Sequence, residues 1–230
     1  MKRTPKINGG ICAVLAAAAC ATMAGPTTLE AAPACDRACL IDLANSYLAA
    51  LAAHDPASAP LADDVVFVEN VTRMKPGQGL WESAAGQATE FRIYVPDPVQ
   101  GTVGIMTVID RRSRDGVAPA QLAVRLKIAD GRITEAEHLV ADVPSEAARA
   151  RLETPRAALT TAVPERERMP RADLAAIAAS YYDALDQSDG NLAPFADDCE
   201  REENGGRRYQ PIKVSPGCAP GRFLCRNHLL

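Results

Sequence analysis

Two stretches of the sequence match each other and decide the fold prediction. Residues 40–70 read LIDLANSYLAALAAHDPASAPLADDVVFVEN, and residues 174–204 read LAAIAASYYDALDQSDGNLAPFADDCEREEN. The offset is 134 positions throughout, from Leu40 to Leu174, and no gap is needed to align the two stretches. Self-similarity at one fixed offset is typical of repeated structural units. The sequence therefore predicts a tandem duplication.

The first copy predicts one helix followed by an antiparallel sheet. Its apolar residues at helical spacing are Leu40, Leu43, Ala44, Tyr47 and Leu51. The proline after Asp55 disfavours a further helical residue. Strands are predicted at 65–71, 90–95, 102–110, 121–129 and 132–141, with a short helix within 77–85. Asp130-Gly131 is a strong hairpin signal, and the whole order predicts an α+β fold in which a curved antiparallel sheet wraps around the first helix.

The same motifs resemble a known superfamily. They are Tyr47 on the apolar helix stripe, Ala53-His54-Asp55-Pro56, Leu61-Ala62-Asp63-Asp64 with Glu69-Asn70, and Gly79-Leu80-Trp81. In this order they are similar to the SnoaL-like branch of the nuclear transport factor 2-like superfamily, especially to uncharacterised secreted proteins with two tandem units. The resemblance covers residues 36–142 and 171–204. It implies a cone-shaped, cystatin-like unit followed by an incomplete second copy.

The chain divides into five predicted segments. Residues 1–34 are a signal peptide, 35–142 the SnoaL-like cone, 143–169 a linker, 170–204 a partial second repeat and 205–230 an irregular tail. After Asn204 the chain has too few residues for a second sheet, and a helix with one strand cannot bury its apolar face alone. The hypothesis is that this tail is truncated or read in a shifted frame and is poorly ordered.

The N-terminal residues predict export. Lys2, Arg3 and Lys6 precede an apolar run from Ile11 to Ala24, which is shorter than the roughly 20 residues of a membrane span. Cleavage after Ala34 would leave a periplasmic or extracellular protein with no membrane segment. Its five remaining cysteines are expected to be disulfide partners, and Cys35 and Cys39 could pair with each other or elsewhere. The net charge of −4 and the lack of a basic stripe argue against a nucleic-acid partner.

The hairpin suggests two catalytic carboxylates. With a two-residue turn, Leu126 faces Glu135 and Val124 faces Glu137, so both carboxylates would share the apolar, concave side of the sheet. Partial desolvation there would raise their pKa values, as a general acid or base requires. The alternatives are that the strand end reaches the open rim, or that the register slips by one residue.

Several further residues are predicted to line the pocket. Tyr47 would project its hydroxyl from the helix toward the sheet as a hydrogen-bond donor, or would serve packing alone. Glu69 and Asn70 close the first strand, and Trp81 and Tyr94 would wall the pocket or belong to the core. His138 is expected on the exposed, polar face. Since no histidine stands at zinc-ligand spacing from a cysteine, no metal is predicted, and neither is a cofactor.

Two functional readings follow, with a third left open. The superfamily includes polyketide cyclases, ketosteroid isomerases, dehydratases and epoxide hydrolases, so the resemblance implies a cofactor-free isomerase, lyase or hydrolase with a small hydrophobic substrate. Other members of the fold only bind a ligand or dimerise. A homodimer would use the outer sheet face with Arg125, Lys127 and His138. The third reading is a decayed copy without activity.

Overall fold

A computed structural model of the chain describes residues 35–195 and 201–207. The predicted signal peptide, residues 1–34, and residues 208–230 of the predicted tail lie outside them. The first unit contains these elements in chain order: α1 (Arg37–Ala52), a 3₁₀ turn (Pro56–Ser58), β1 (Leu61–Glu69), β2 (Thr72–Met74), α2 (Leu80–Ser83), β3 (Arg92–Asp97), β4 (Thr102–Ser113), β5 (Gly116–Ala129) and β6 (Arg132–Asp142).

Strands β1 to β6 form one curved sheet in the order β2-β1-β6-β5-β4-β3. Neighbouring strands are antiparallel, except that β1 runs parallel to β6. This parallel pair brings the end of β1 beside the middle of β6, with Glu69 opposite His138. The predicted α+β class and the sheet that covers the first helix are confirmed.

Helix α1 is fixed at both ends by short-range chemistry. The Asp36 carboxylate accepts a hydrogen bond from the Cys39 amide at 2.9 Å, as an N-cap residue does. Cys35 and Cys39 form a disulfide, with their Cα atoms 5.3 Å apart, which answers the question of pairing that their spacing left open. At the other end His54 adopts the left-handed conformation, with φ of 57°, just before the proline turn.

The main core lies between α1, α2 and the concave face of the sheet. The helix contributes Leu40, Ala44, Tyr47 and Leu51, all at most 1% exposed. Its principal partners from the other elements are Phe67, Leu80, Trp81, Val103, Ile105, Ile109, Leu122, Val124, Leu126, Ile133 and Ala136. A smaller cluster of Phe91, Ile93, Val108 and Leu152 lies apart from this core.

The hairpin between β5 and β6 contains a one-residue register slip, which is one of the two alternatives to the main prediction. The turn at Asp130-Gly131 forms as predicted, with Ile128 opposite Ile133. Beyond it, Thr134 is an extra residue on β6, so that Lys127 faces Glu135 and Arg125 faces Glu137. Such a bulge moves every later side chain to the opposite face. The predicted register and the concave placement of Glu135 and Glu137 are therefore wrong.

The rest of the described chain is helical, with one short hairpin. It contains α3 (Glu146–Arg151), α4 (Ala157–Thr160), a 3₁₀ turn (Glu165–Glu167), α5 (Arg171–Asp186), a 3₁₀ turn (Gly190–Leu192), β7 (Glu202–Glu203) and β8 (Gly206–Arg207). Helix α3 lies in the predicted linker. Helix α5 and its 3₁₀ turn stand 134 positions after α1 and the first 3₁₀ turn. The boundaries of the predicted domains stay predictions.

Helix α5 differs from α1 in its surroundings. Leu174 is 53% exposed, whereas its counterpart Leu40 is fully buried. Ala184 is the one buried residue of α5. The backbone after α5 nevertheless resembles the backbone after α1. Ser188 and Asn204 have φ values of 52° and 50°, close to the 57° of His54 and the 46° of Asn70.

Candidate functional site

Three polar side chains form a hydrogen-bonded chain inside the apolar core. The Tyr47 hydroxyl lies 2.9 Å from His138 Nε2, and His138 Nδ1 lies 3.2 Å from Glu69 Oε2. An ionised carboxylate can only accept, so Nδ1 of a neutral His138 carries the proton and Nε2 is the acceptor. Tyr47 therefore donates to His138, and His138 donates to Glu69.

Each member of this chain comes from a different element. Tyr47 lies on the buried face of α1, His138 lies on the concave face of β6, and Glu69 ends β1. The parallel register of β1 and β6 places Glu69 and His138 side by side. Three elements distant in sequence thus meet at one point.

The three hydrogen-bonded side chains are almost completely shielded from solvent. The His138 side chain is 0% exposed and that of Glu69 is 12% exposed. The Phe67 ring packs edge-on against the imidazole at 4.9 Å between centroids. On the other side, the Trp81 ring packs edge-on against Tyr47 at 5.3 Å. In such a low-dielectric interior, polar groups interact strongly and an unpaired one is costly.

Glu69 also holds the first turn of α2. Its two carboxylate oxygens lie 3.1 and 3.0 Å from the Leu80 amide nitrogen. Gly79 permits this approach, because a Cβ atom at that position would lie 2.5 Å from Glu69 Oε1 and the residue has a φ of 68°. The second anchor is His54, whose Nδ1 donates to the Trp81 carbonyl at 2.5 Å. The position of Trp81 is therefore fixed by the carboxylate that also orients His138.

Burial strongly raises the pKa of the Tyr47 hydroxyl, and the negative charge of Glu69 raises it further. The Trp81 indole N–H acts in the opposite direction. The geometry between the Trp81 indole N–H and the Tyr47 oxygen nevertheless falls short of a hydrogen bond. In the part of the chain that the structure describes, Trp81 Nε1 is the buried side-chain polar atom without a partner. Tyr47 is thus a neutral donor at physiological pH.

Sequence comparison now identifies the family. Residues 34–140 and 167–226, well over half of the chain, match a family described as a domain of unknown function, DUF8021. The chain belongs to this family. No curated protein matches the DUF8021 chain.

Several solved structures are similar to this DUF8021 chain. AusH from Aspergillus nidulans is 14% identical, with 55% of this chain and 97% of that one covered and a TM-score of 0.41. A protein with a cystatin-like fold from Xanthomonas campestris is 20% identical, with 45% and 91% covered and a TM-score of 0.35. A protein with a ketosteroid isomerase-like fold from Catenulispora acidiphila, in complex with trimethylamine, is 14% identical, with 42% and 83% covered and a TM-score of 0.34.

The structure brings together some of the residues predicted for the pocket. Tyr47, Glu69 and Trp81 meet around His138. Asn70 lies at the strand end, where its amide exchanges two hydrogen bonds with the Val140 backbone, at 3.1 and 2.9 Å. Asn70 therefore joins β1 to β6.

Tyr94 lies on β3, away from the hydrogen-bonded side chains around His138. Its hydroxyl donates to Asn45 Oδ1 at 2.6 Å, and Arg92 donates to the same oxygen at 3.3 Å. Its ring packs at the edge of the main core. Tyr94 thus walls the interior from the β3 side.

Glu135 and Glu137 lie on the outer face of the sheet. Arg125 donates to Glu135 at 2.8 Å and lies 3.4 Å from Glu137. Their side chains are 43% and 50% exposed. The desolvation on which a role as general acid or base depended is absent at these positions.

His138, like Glu135 and Glu137, lies on the face opposite to the one predicted from the sequence. It was expected on the exposed face, but it is 1% exposed. A signal in the sequence was the alternation of Ala136, His138 and Val140 along β6. If faces are assigned from the end of β6 instead of from the turn, this alternation places His138 on the inner face. Only the bulge at Thr134 reconciles that alternation with the turn.

Within residues 35–195 and 201–207, no three His, Cys, Asp or Glu side chains are grouped so as to hold a metal ion. No helix in those ranges is long and apolar enough to cross a bilayer.

Proposed function

We propose that this DUF8021 chain is an exported, cofactor-free protein that binds a small hydrophobic molecule between α1, α2 and the concave face of the sheet, and that Glu69, His138 and Tyr47 transfer a proton on that molecule. One observation carries the proposal, namely the continuous hydrogen-bonded chain of these three side chains inside an apolar core. The Cys35–Cys39 disulfide supports export, because such bonds persist in oxidising compartments.

The direction of the hydrogen bonds sets the order of the proton transfer. Glu69 keeps the proton of His138 on Nδ1, so Nε2 is free to act as a base. Because burial disfavours the tyrosinate, Tyr47 does not ionise on its own. Its oxygen accepts the proton of the ligand while its own proton passes to Nε2, and the reverse movement returns a proton to another atom of the ligand. The result is an isomerisation or an elimination without a net change in the protein.

A ligand reaches Tyr47 only when its cover moves. The cover is Trp81 on α2, a helix of four residues held by Glu69 at its first turn and by His54 at the Trp81 carbonyl. A third side chain, Arg112, donates to the carbonyl of Ala84 at the end of α2 at 2.8 Å, and these three anchors are still fewer than those of the long strands around the helix. A small outward shift of α2 opens space beside the hydroxyl, keeps Trp81 at the edge of that space and leaves the sheet intact.

A second candidate function rests on the complete burial of His138. An imidazole with 0% exposure and two hydrogen bonds also serves as a structural brace between α1, β1 and β6. In that case the unit is a non-catalytic binding or dimerisation module. The brace needs all three side chains for stability and none of them for proton transfer.

Hydrogen–deuterium exchange into small ketones separates the two candidates. In D₂O the protein is expected to accelerate exchange of the acidic C–H protons of a panel that includes acetophenone, measured by mass spectrometry. His138→Gln should lower the exchange rate about 100-fold or more, the usual contribution of a general base. The matched control is Glu135→Gln on the outer face, which should leave the rate unchanged. Ligand binding without exchange would support the binding module, and loss of exchange in Glu135→Gln would contradict the site.

A further inference from the structure

The indole N–H of Trp81 has no partner although it lies deep in the core. Trp81 is 1% exposed, and its Nε1 is a buried donor without an acceptor in the described residues. A buried donor without an acceptor costs about 1–3 kcal/mol, so proteins rarely keep one without a use. Phenylalanine would fill much of the same space without that cost.

Two side chains form hydrogen bonds with the backbone on either side of this ring. Glu69 accepts from the Leu80 amide, and His54 donates to the carbonyl of Trp81 itself. The ring stands edge-on to Tyr47, with 84° between the ring planes. The indole ring therefore lies beside the hydroxyl that donates to His138, and its N–H is enclosed in the core.

We propose that the indole N–H of Trp81 is a ligand-binding donor that selects small apolar molecules carrying an exposed acceptor oxygen, such as a ketone carbonyl. This inference rests on the proposed small-molecule site and names the chemistry that its ligand must have. The oxygen accepts from Trp81 Nε1, and its apolar remainder lies among the aliphatic side chains of the concave face. His54 is a positioning residue, since it reaches the ligand only through the Trp81 backbone.

The single tryptophan of the chain makes the test unambiguous. Two probes of nearly equal shape are compared, acetophenone and α-methylstyrene, in which a methylene group replaces the carbonyl oxygen. One neutral hydrogen bond corresponds to about a three- to tenfold difference in affinity. Wild-type protein should bind acetophenone tighter by that factor, and Trp81→Phe should remove the difference while its affinity for α-methylstyrene stays the same.

A second measurement needs no variant and protects the test against a Trp81→Phe protein that fails to fold. The chain has one indole N–H resonance, which should move downfield when acetophenone binds and should stay in place with α-methylstyrene. Equal affinity of the wild-type protein for both probes, or an indole resonance that ignores bound acetophenone, would overturn this inference and leave the proposed site intact. An ordered water that keeps its contact with the indole in the acetophenone complex would do the same. Binding of neither probe would contradict the proposed function as well.

Discussion

Glu137 and His138 are neighbours on β6, yet they belong to opposite chemical environments. Glu137 lies on the outer face, half-exposed and paired with Arg125. His138 lies on the inner face, fully buried between Tyr47 and Glu69. Neighbouring side chains of a strand point to opposite faces, and the single extra residue Thr134 decides which of the two points inward. The difference teaches that a hydrogen-bonded site in a sheet depends on register as much as on residue type.

Deleting Thr134 should have the largest effect on stability, because it removes the residue that sets which face Glu137 and His138 occupy. Without the extra residue, β6 either loses its pairing with β5 or turns Glu135 and Glu137 into the apolar core. We expect the purified protein to lose its cooperative thermal transition, measured by circular dichroism. A glycine inserted after Thr161, in an exposed segment, is the matched control and should melt as the wild type does. A cooperative transition in the Thr134 deletion would contradict the importance of the bulge.

Replacing Tyr47 by phenylalanine tests the inner face alone. The change removes one hydroxyl and leaves His138 Nε2 without its donor, at a cost of about 1–3 kcal/mol in the free energy of unfolding. Denaturant titration measures it. The control comes from the matching stretch of sequence, because Tyr181 stands at the position of Tyr47 but is only half-buried against Tyr182 and Phe195. Tyr181→Phe should change stability by less than about 0.5 kcal/mol. Equal effects of the two changes would show that the inner bond adds nothing.

Alkaline pH should lower the stability of the wild-type protein more than that of Tyr47→Phe, because the Tyr47 hydroxyl is buried. The folded-state pKa of Tyr47 is raised, so only the unfolded chain ionises this group as the pH passes its ordinary value of about 10. The unfolded state then binds fewer protons than the folded one, and stability falls by up to about 1.4 kcal/mol per pH unit. Below pH 10 this contribution is fully present. Tyr47→Phe should lack that part of the alkaline slope, and an identical slope in both proteins would contradict the burial of the hydroxyl.

Substitution on the outer face should have the smallest effect. Glu135→Gln removes one partner of an exposed ion pair, which contributes about 0.2–1 kcal/mol and less at high salt. The free energy of unfolding, measured at low and at high salt, should differ from that of the wild type only at low salt. A loss above 2 kcal/mol would indicate that Glu135 lies inside, as its forward register from the turn predicts.

Much of the fold could be predicted from the sequence because the signals for its elements are local. The apolar stripe of α1, the proline after Asp55 and the Asp130-Gly131 turn each act over a few residues, and all three elements form where they were predicted. The site depended on long-range pairing instead. Glu69 and His138 meet only through the parallel pairing of β1 with β6, and no short pattern encodes that pairing. The Thr134 bulge has no composition signal, so a regular register placed the wrong carboxylates inside.

The two matching stretches of sequence show how far local signals reach. Helix α5 repeats the length of α1 and the turn that follows it, although the residues of its apolar face are largely exposed. Helix formation therefore follows the sequence, whereas burial follows the sheet that packs on it. Tyr181 has the same place on its helix as Tyr47, but in the described part of the chain it lies beside aromatic rings.

The most direct test of the account is the tautomer of His138, observed by ¹H–¹⁵N correlation spectroscopy of the imidazole ring at neutral pH. The account predicts a proton on Nδ1 that exchanges slowly with water and an unprotonated Nε2 that accepts from Tyr47. In Tyr47→Phe the Nε2 resonance should shift while the proton stays on Nδ1. A proton on Nε2, or ring protons that exchange as fast as those of an exposed histidine, would contradict the buried chain from Glu69 to Tyr47 on which the proposed function rests.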